Sequence, residues 1–492
     1  MLSNVPDVSA ARWDRAFFGH PRGLNTLFFT EMWERFSYYG MRAILILFMT
    51  AATTTGGLGF STAKAGAVYG LYASMAYLSN LPGGWVADRI TGHRRAVLIG
   101  GILISIGQFC LATPNIGFFY AGLGFIIVGT GLLKPNISTM VGELYKADDP
   151  RRDGGFSIFY MGINIGALVS PLVCGYLGEN LNWHYGFAAA GVCMSLGVVQ
   201  YVLRGQYLGT VGLHFSGAAQ DKQLFQWCIG GAVGLAALGA VLTMTGAMNI
   251  SAAELSDSFG VILALVVIAF FVWLLTAKGY TADEKRKFWV VLILFTGSTM
   301  FWAAYEQAGS TLNLFAERNT NLHAWDMPIV GQFRASYLQS FNSAFLVLLA
   351  PVFAWIWISL GKKDPNSTTK FSLGLLFVAL GYAVLIPVAG GTGVSPWFLT
   401  LTYLLHTIGE LCLSPVGLSA MTKLAPARIG GLIMGVWFLS ISVGNYIAGR
   451  VASVYETFPL PQIFTVVAIS AMVLCAVMVV LIRPTRKLLG TN

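Results

Sequence analysis

The sequence predicts an all-α integral membrane protein of fourteen spans, grouped six, two and six, with both termini in the cytoplasm. Three observations carry this expectation. Of the 492 residues, 56% are hydrophobic and only 10% charged, whereas soluble domains carry about a quarter charged residues. Apolar stretches of roughly 20 residues, long enough to cross a bilayer, recur near 24–50, 63–87, 95–113, 117–142, 155–178, 184–203, 224–247, 258–277, 287–310, 335–360, 371–389, 396–423, 429–453 and 460–482. With the N-terminus inside, 23 of the 30 Lys and Arg fall on the cytoplasmic side, among them Arg12, Arg15, Arg94, Arg95, Arg151, Arg152, Lys285, Arg286, Lys287, Lys362, Lys363, Arg486 and Lys487. Lys64, Arg318, Arg334 and Arg450 fall outside. That asymmetry is the positive-inside pattern.

The formal charge of +9 is therefore an orientation signal and calls for no nucleic-acid partner. Residues 1–23 are polar and hold no apolar signal core, so no cleavable signal peptide is expected. Cys110, Cys174, Cys193, Cys228, Cys412 and Cys475 all lie in expected spans without paired spacing, so neither a disulfide framework nor a metal site is expected.

The chain divides into a six-span half over 1–212, a two-span segment over 213–283 and a second six-span half over 284–492. The apolar stretches 224–247 and 258–277 contain no charged residue, which disqualifies them from lining a polar route. They read as a peripheral insertion. Two six-span halves around a site at mid-depth is the plan of alternating-access carriers.

Charges inside spans then locate that site, because each is expensive in hydrocarbon unless paired or hydrated. The first span carries Glu31, Glu34 and Arg35, with Glu31 and Arg35 four apart on one helix face. The others are Arg42, Lys134, Glu306 and Glu410, with His406 one turn before Glu410. At a rise of about 1.5 Å per residue, Arg42 lies roughly 27 Å and Glu306 roughly 28 Å from the inner ends of their spans, so the two would meet near the outer side. Glu34 and Lys134 lie roughly 15 and 12 Å above theirs, within reach of each other. Glu410 is near mid-depth in the second half.

Arg35, Arg42 and Lys134 on one wall and Glu306 and Glu410 on the other suit a zwitterion, such as a peptide presenting its carboxylate to the first and its ammonium to the second. The plainer reading is that these are structural ion pairs joining the halves. Both hold if a pair breaks on substrate arrival. Tyr38, Tyr39, Tyr77, Tyr160, Trp302 and Trp437 lie near these charges, as either core packing or cavity wall, and buried Tyr and Trp need hydrogen-bond partners. Asn164 and Asn342, each mid-span, are costly in lipid and favour a cavity wall. For His406 a packing or hydrogen-bonding role competes with that of a pH-sensitive neighbour.

Four motifs resemble the proton-dependent oligopeptide transporters, a branch of the major facilitator superfamily, over nearly the full length. They are Glu31-Met-Trp-Glu34-Arg35-Phe36-Ser-Tyr38-Tyr39-Gly40 with Arg42; Gly83-Gly84-Trp85-Val86-Ala87-Asp88-Arg89 with Gly92, Arg94 and Arg95; Phe156 to Gly166; and Gly409-Glu410 to Leu418. The first and last are specific, whereas many carriers share the Asp-Arg loop. The six-two-six plan is similar to bacterial members, which implies the bacterial cytoplasmic membrane.

The resemblance implies proton-coupled symport of di- and tripeptides, with protons as coupling ion, no cofactor, no metal and a monomer as the working unit. It places Glu31, Glu34, Arg35 and Lys134 in proton coupling. Arg35, Arg42 and Lys134 fall near the peptide carboxylate, and Glu410 and Asn342 near its amino group. Tyr39, Tyr77, Tyr160, Asn164, Trp302, Glu306, Ser414 and Trp437 complete the binding wall. Arg42–Glu306 and Lys134–Glu410 become gating pairs. Animal members carry a histidine in the second span; 63–87 contains none, so coupling through that residue is excluded. A carrier of nitrate, an amino-acid conjugate or another small solute is the alternative. No His-Glu-x-x-His, Gly-x-Ser-x-Gly or phosphate-binding loop points to an enzyme.

Overall fold

A computed structural model describes residues 16–146, 149–215, 217–227, 251–326, 331–426 and 429–489. The described residues form helices, with only the isolated bridges Phe17–His20 and Thr320–Val394. Each expected span meets a helix as far as it is described; from residue 228 the span 224–247 lies outside the described residues, as do Arg12, Arg15 and Cys228.

The first span is α1 (Arg22–Thr50). The second is broken: α2 (Thr62–Leu78) stops, and α3 (Asn80–Val86) continues into a wide turn over Ala87–Thr91. Ser79 sits at the break, its hydroxyl donating to the carbonyls of Ala76 and Ile127, each at 2.9 Å. Next come α4 (His93–Leu111), α5 (Ile116–Glu143), α6 (Arg152–Gly175, prolonged through Tyr176–Leu181) and α7 (Trp183–Leu203). Asn115 starts α5 by accepting from the backbone N–H of Gly117 and Phe118, which fills two of the orphan donors of a helix start.

The segment α8 (Ala252–Thr276) begins six residues before the expected span and takes in Glu254 and Asp257. The insertion is thus less free of charge than its apolar stretch, and Asp257 pairs with Arg450 at 2.7 Å. The second half comprises α9 (Ala282–Tyr305), a tight turn Glu306–Gly309, α10 (Thr311–Asn319), the turn Ala335–Gln339, and α11 (Ser340–Leu360). It ends with α12 (Ser367–Leu385), α13 (Pro396–Leu424), α14 (Gly430–Ser453) and α15 (Leu460–Leu489). A reciprocal capping box between Thr281 and Glu284 opens α9. The ninth expected span ended at 310, but the turn at Glu306 lets the chain continue to Asn319.

The contacts define two compact units. The first holds Met1–Met41, Ala76–Ser170 and His184–Leu255; the second holds Arg42–Met75, Pro171–Trp183 and Ser256–Asn492. They cut through α1, α2, α6 and α8, so residues 42–50 of α1, 62–75 of α2 and 171–175 of α6 belong with the second half of the sequence.

In the first unit α4 and α5 touch backbone to backbone. A Cβ on Gly129 would lie 2.7 Å from the Gly100 carbonyl oxygen, and one on Gly107 would lie 2.7 Å from that of Gly122. Pairs of small residues seven apart let helices approach where lipid supplies no hydrophobic drive between them. In the second unit a Cβ on Gly70 would sit 2.7 Å from the Gly449 Cα, so α2 and α14 meet the same way. The neighbouring hydroxyls of Ser74 and Ser442 bond at 2.8 Å.

Replacing Gly129 by Val should lower the unfolding midpoint in detergent by the equivalent of about 1–3 kcal/mol of overpacking. Gly124→Val, a position with nothing within 4 Å, should leave that midpoint nearly unchanged in the same thermal melt.

Candidate functional site

The charges picked out in the sequence gather into two constellations, one in each unit. In the first, a single turn of α1 places Glu31, Glu34 and Arg35 together, all at least 97% buried. The Arg35 guanidinium binds Glu34 in a bidentate fashion, with Nη2 donating to Oε1 at 2.6 Å and Nε to Oε2. Its Nε also lies 3.2 Å from Glu31 Oε1. One cation is thus shared between two carboxylates, and Glu31 Oε2 has no hydrogen-bond partner among the described residues. Only one of the two carboxylates is therefore matched in charge by the guanidinium.

The aromatic rings stack onto this cation. Arg35 Cζ lies 5.2 Å from the Tyr38 ring centroid and 6.0 Å from that of Tyr39, which spreads the charge over π faces. Lys134 on α5 places Nζ 4.2 Å from the centre of the Tyr77 ring, and its charge acts on Glu31. The fifth-span motif has a steric role here. A Cβ on Gly166 would lie 2.9 Å from the Phe36 amide and 3.1 Å from Arg35 Cβ. The motif's glycines thus let α6 press against the turn that carries the charges. Farther along α6, Asn164 donates to the Tyr160 carbonyl at 2.9 Å, while the Tyr160 ring is 46% exposed.

In the second unit Arg42 and Glu306 meet as the depth argument expects, with Arg42 Nη2 2.7 Å from Glu306 Oε2. The guanidinium also donates to the Tyr69 hydroxyl (2.9 Å) and the Glu306 carbonyl (3.3 Å). This pair belongs to a seam of outer contacts. Asn313 donates to the Ala43 carbonyl at 2.8 Å, Arg334 to Asn180 at 2.7 Å, and Arg318 to Glu456 at 2.8 Å. Glu456 also accepts from the Thr62 hydroxyl, and these bonds, the Thr62 bond foremost, hold its carboxyl below the usual range. That contact therefore persists above the ordinary carboxylate range and loosens only as pH falls through the lowered value.

Deeper in the same unit, Glu410 on α13 accepts from the Tyr305 hydroxyl at 2.5 Å and from Asn342 Nδ2 at 3.3 Å, and Asn342 also donates to Thr407 at 2.9 Å. The carboxylate is thus held by neutral donors. Trp302 stands against Tyr305 (centroids 5.3 Å) and Trp437 (6.5 Å), and its buried Nε1 has no partner among the described residues. Ser414 is half-buried one turn beyond Glu410 on α13. His406 is packed on Tyr382 (5.2 Å between ring centres) and Tyr305 (6.3 Å), which is a packing role.

Lys134 and Glu410 belong to different units. The sequence reading passed over Tyr305, Tyr69 and Thr407. Tyr305 had a signal, since a mid-span tyrosine needs a hydrogen-bond partner. Tyr69 and Thr407 had none, since a tyrosine or threonine in a span is common and their partners lie far away in the chain.

A helical chain with multiple candidate membrane spans and Glu, Arg and His side chains buried in its interior is an integral membrane protein. The family model described as "PTR2: POT family" matches residues 94–467. A relative named "Uncharacterized transporter YclF" in Bacillus subtilis (strain 168) is 41% identical, covering 95% of this chain and 94% of its own. "Peptide transporter YePEPT" of Yersinia enterocolitica (strain YE-P4) is 39% identical, with 97% of each chain covered. A crystal structure of a peptide transporter POT in complex with sulfate superposes with a TM-score of 0.91 at 40% identity, covering 98% of this chain and 99% of that one. The chain belongs to the POT family. It is a multi-pass protein of the bacterial cytoplasmic membrane, has the major facilitator fold and is a transporter, not an enzyme.

Arg42→Ala strands the buried Glu306 carboxylate and should destabilise by about 3–5 kcal/mol, whereas removing both partners should restore much of that loss. Unfolding midpoints of the two single variants and the Arg42→Ala/Glu306→Ala double variant check this. Additive losses would contradict a coupled pair.

Proposed function

We propose that the protein imports di- and tripeptides by proton-coupled symport, with alternating access between the halves 1–212 and 284–492 and with 213–283 as a peripheral insertion. The observation that carries this reading is the buried Glu31–Arg35–Glu34 cluster, in which two carboxylates hold one guanidinium. Uptake of a proton by either carboxylate loosens that hold and frees Arg35 for a substrate carboxylate. Arg42 and Lys134 would extend the same cationic wall, with Tyr39, Tyr77, Tyr160 and Asn164 beside it.

Glu410, hydrogen-bonded by Tyr305 and Asn342, would receive the peptide ammonium, with Trp302, Ser414 and Trp437 around it. A pure anion such as nitrate gains nothing from a carboxylate opposite its binding wall. Arg42–Glu306 would seal the outer side and part for outward opening, and Lys134–Glu410 would be the inner counterpart. The names of relatives such as the Yersinia peptide transporter support a peptide substrate. Protons are the coupling ion, no cofactor takes part, and one chain suffices as a monomer in the lipid bilayer.

Coupling follows from differential binding of proton and peptide to the two conformations. Each proton moving inward gains about 2.3 kcal/mol per 100 mV.

In proteoliposomes with an imposed inward pH gradient, labelled dipeptide should accumulate, and unlabelled di- and tripeptides should compete while nitrate does not. Equal competition by nitrate, or no gradient-driven accumulation, would refute the reading.

A further inference from the structure

We propose that the cytoplasmic end of the second unit holds a binding site for an anionic phosphate group, outside the transport route. A cavity of about 590 Å³ opens between the first turns of α9 and α12 and the last turns of α13 and α15. Lys287, Lys370, Lys423 and Arg486 line it against one carboxylate, Asp364. That carboxylate is already engaged, since Lys370, which is 94% buried, contacts it at 2.8 Å. Lys287 has an exposed partner in Asp283 at 3.3 Å. Lys423 and Arg486 pair with no carboxylate among the described residues, so the cavity carries a net positive charge on its open side.

The positive-inside rule accounts for cations at this face, but not for their gathering around a concavity formed by four helix ends. Between those ends the wall mixes apolar Val290, Leu294 and Leu424 with the hydroxyls of Thr368, Ser419 and Thr485. A basic pocket between transmembrane helices on the cytoplasmic side, with partly apolar walls, has the chemistry that receives a phosphate headgroup. Two sources carry that group here: an anionic phospholipid of the inner leaflet and free phosphate in the cytoplasm. Guanidinium and ammonium recognise both through charge-assisted hydrogen bonds. The site is independent of the transport reading and rests only on the orientation of the chain.

The test uses the full chain in phosphatidylcholine nanodiscs doped with phosphatidylglycerol, with bound lipid counted by native mass spectrometry, and a parallel titration with inorganic phosphate. The wild type should retain phosphatidylglycerol saturably over phosphatidylcholine. The Lys423→Gln/Arg486→Gln variant should bind it roughly twenty- to thirtyfold more weakly, at about fivefold per cation. The charge-keeping Lys423→Arg/Arg486→Lys variant should retain it, which separates charge from folding. If millimolar inorganic phosphate displaces the lipid, free phosphate is an occupant as well; if it does not, the occupant is the headgroup. No saturable binding of either probe by the wild type, or equal binding by the wild type and the glutamine variant, overturns the proposal.

Discussion

An ionised group in the hydrocarbon core costs several kcal/mol unless it is partnered, and the interior of this protein is organised by where those partners come from. Arg35 takes both partners, Glu31 and Glu34, from its own helix turn. Arg42, two turns on, takes Glu306 from a turn 264 positions away. The first arrangement is made within one turn of α1, with Lys134 of α5 acting on Glu31 from outside it. The second depends on the outer ends of α1 and α2 lying with the second half of the sequence. Under the proposed function the local cluster would hold and release a proton, and the long-range pair would open and close.

Close backbone contact keeps both arrangements in place. Gly166 lets α6 lie against the charged turn of α1, and Gly70 with Gly449 lets α2 meet α14 near the Arg42 pair. Membrane helices gain little from apolar burial against one another, so tight contact at small residues and hydrogen bonds such as Ser74–Ser442 supply the specificity. The same economy is seen around Glu410, where Tyr305, Asn342 and Thr407 form one network. These donors are neutral, so under the proposed function the Glu410 carboxylate would meet the peptide ammonium.

Much of this was legible in the sequence, because membrane depth is nearly one-dimensional. Counting residues along a span fixes height, so the meeting of Arg42 with Glu306 followed from arithmetic, and Glu31 with Arg35 followed from helical periodicity. What counting cannot give is azimuth, the direction in which a side chain leaves its helix. Tyr69 and Thr407 were invisible for that reason. The break at Ser79 and the turn at Glu306 were also missed, although Ser79-Asn80-Leu81-Pro82-Gly83-Gly84 and Glu306-Gln307-Ala308-Gly309 interrupt their apolar runs. The charged start of α8 escaped as well: Glu254 and Asp257 read as loop until Asp257 is seen to pair with Arg450.

Under the proposed function the carboxylates sharing Arg35 carry the coupling between proton and substrate. The most direct measurement compares two modes of peptide movement in proteoliposomes for Glu31→Gln and Glu34→Gln: accumulation driven by a pH gradient, and counterflow with no gradient. The account predicts that at least one substitution abolishes driven accumulation while counterflow persists, because binding survives and coupling does not. Driven accumulation at the wild-type level in both variants would contradict it.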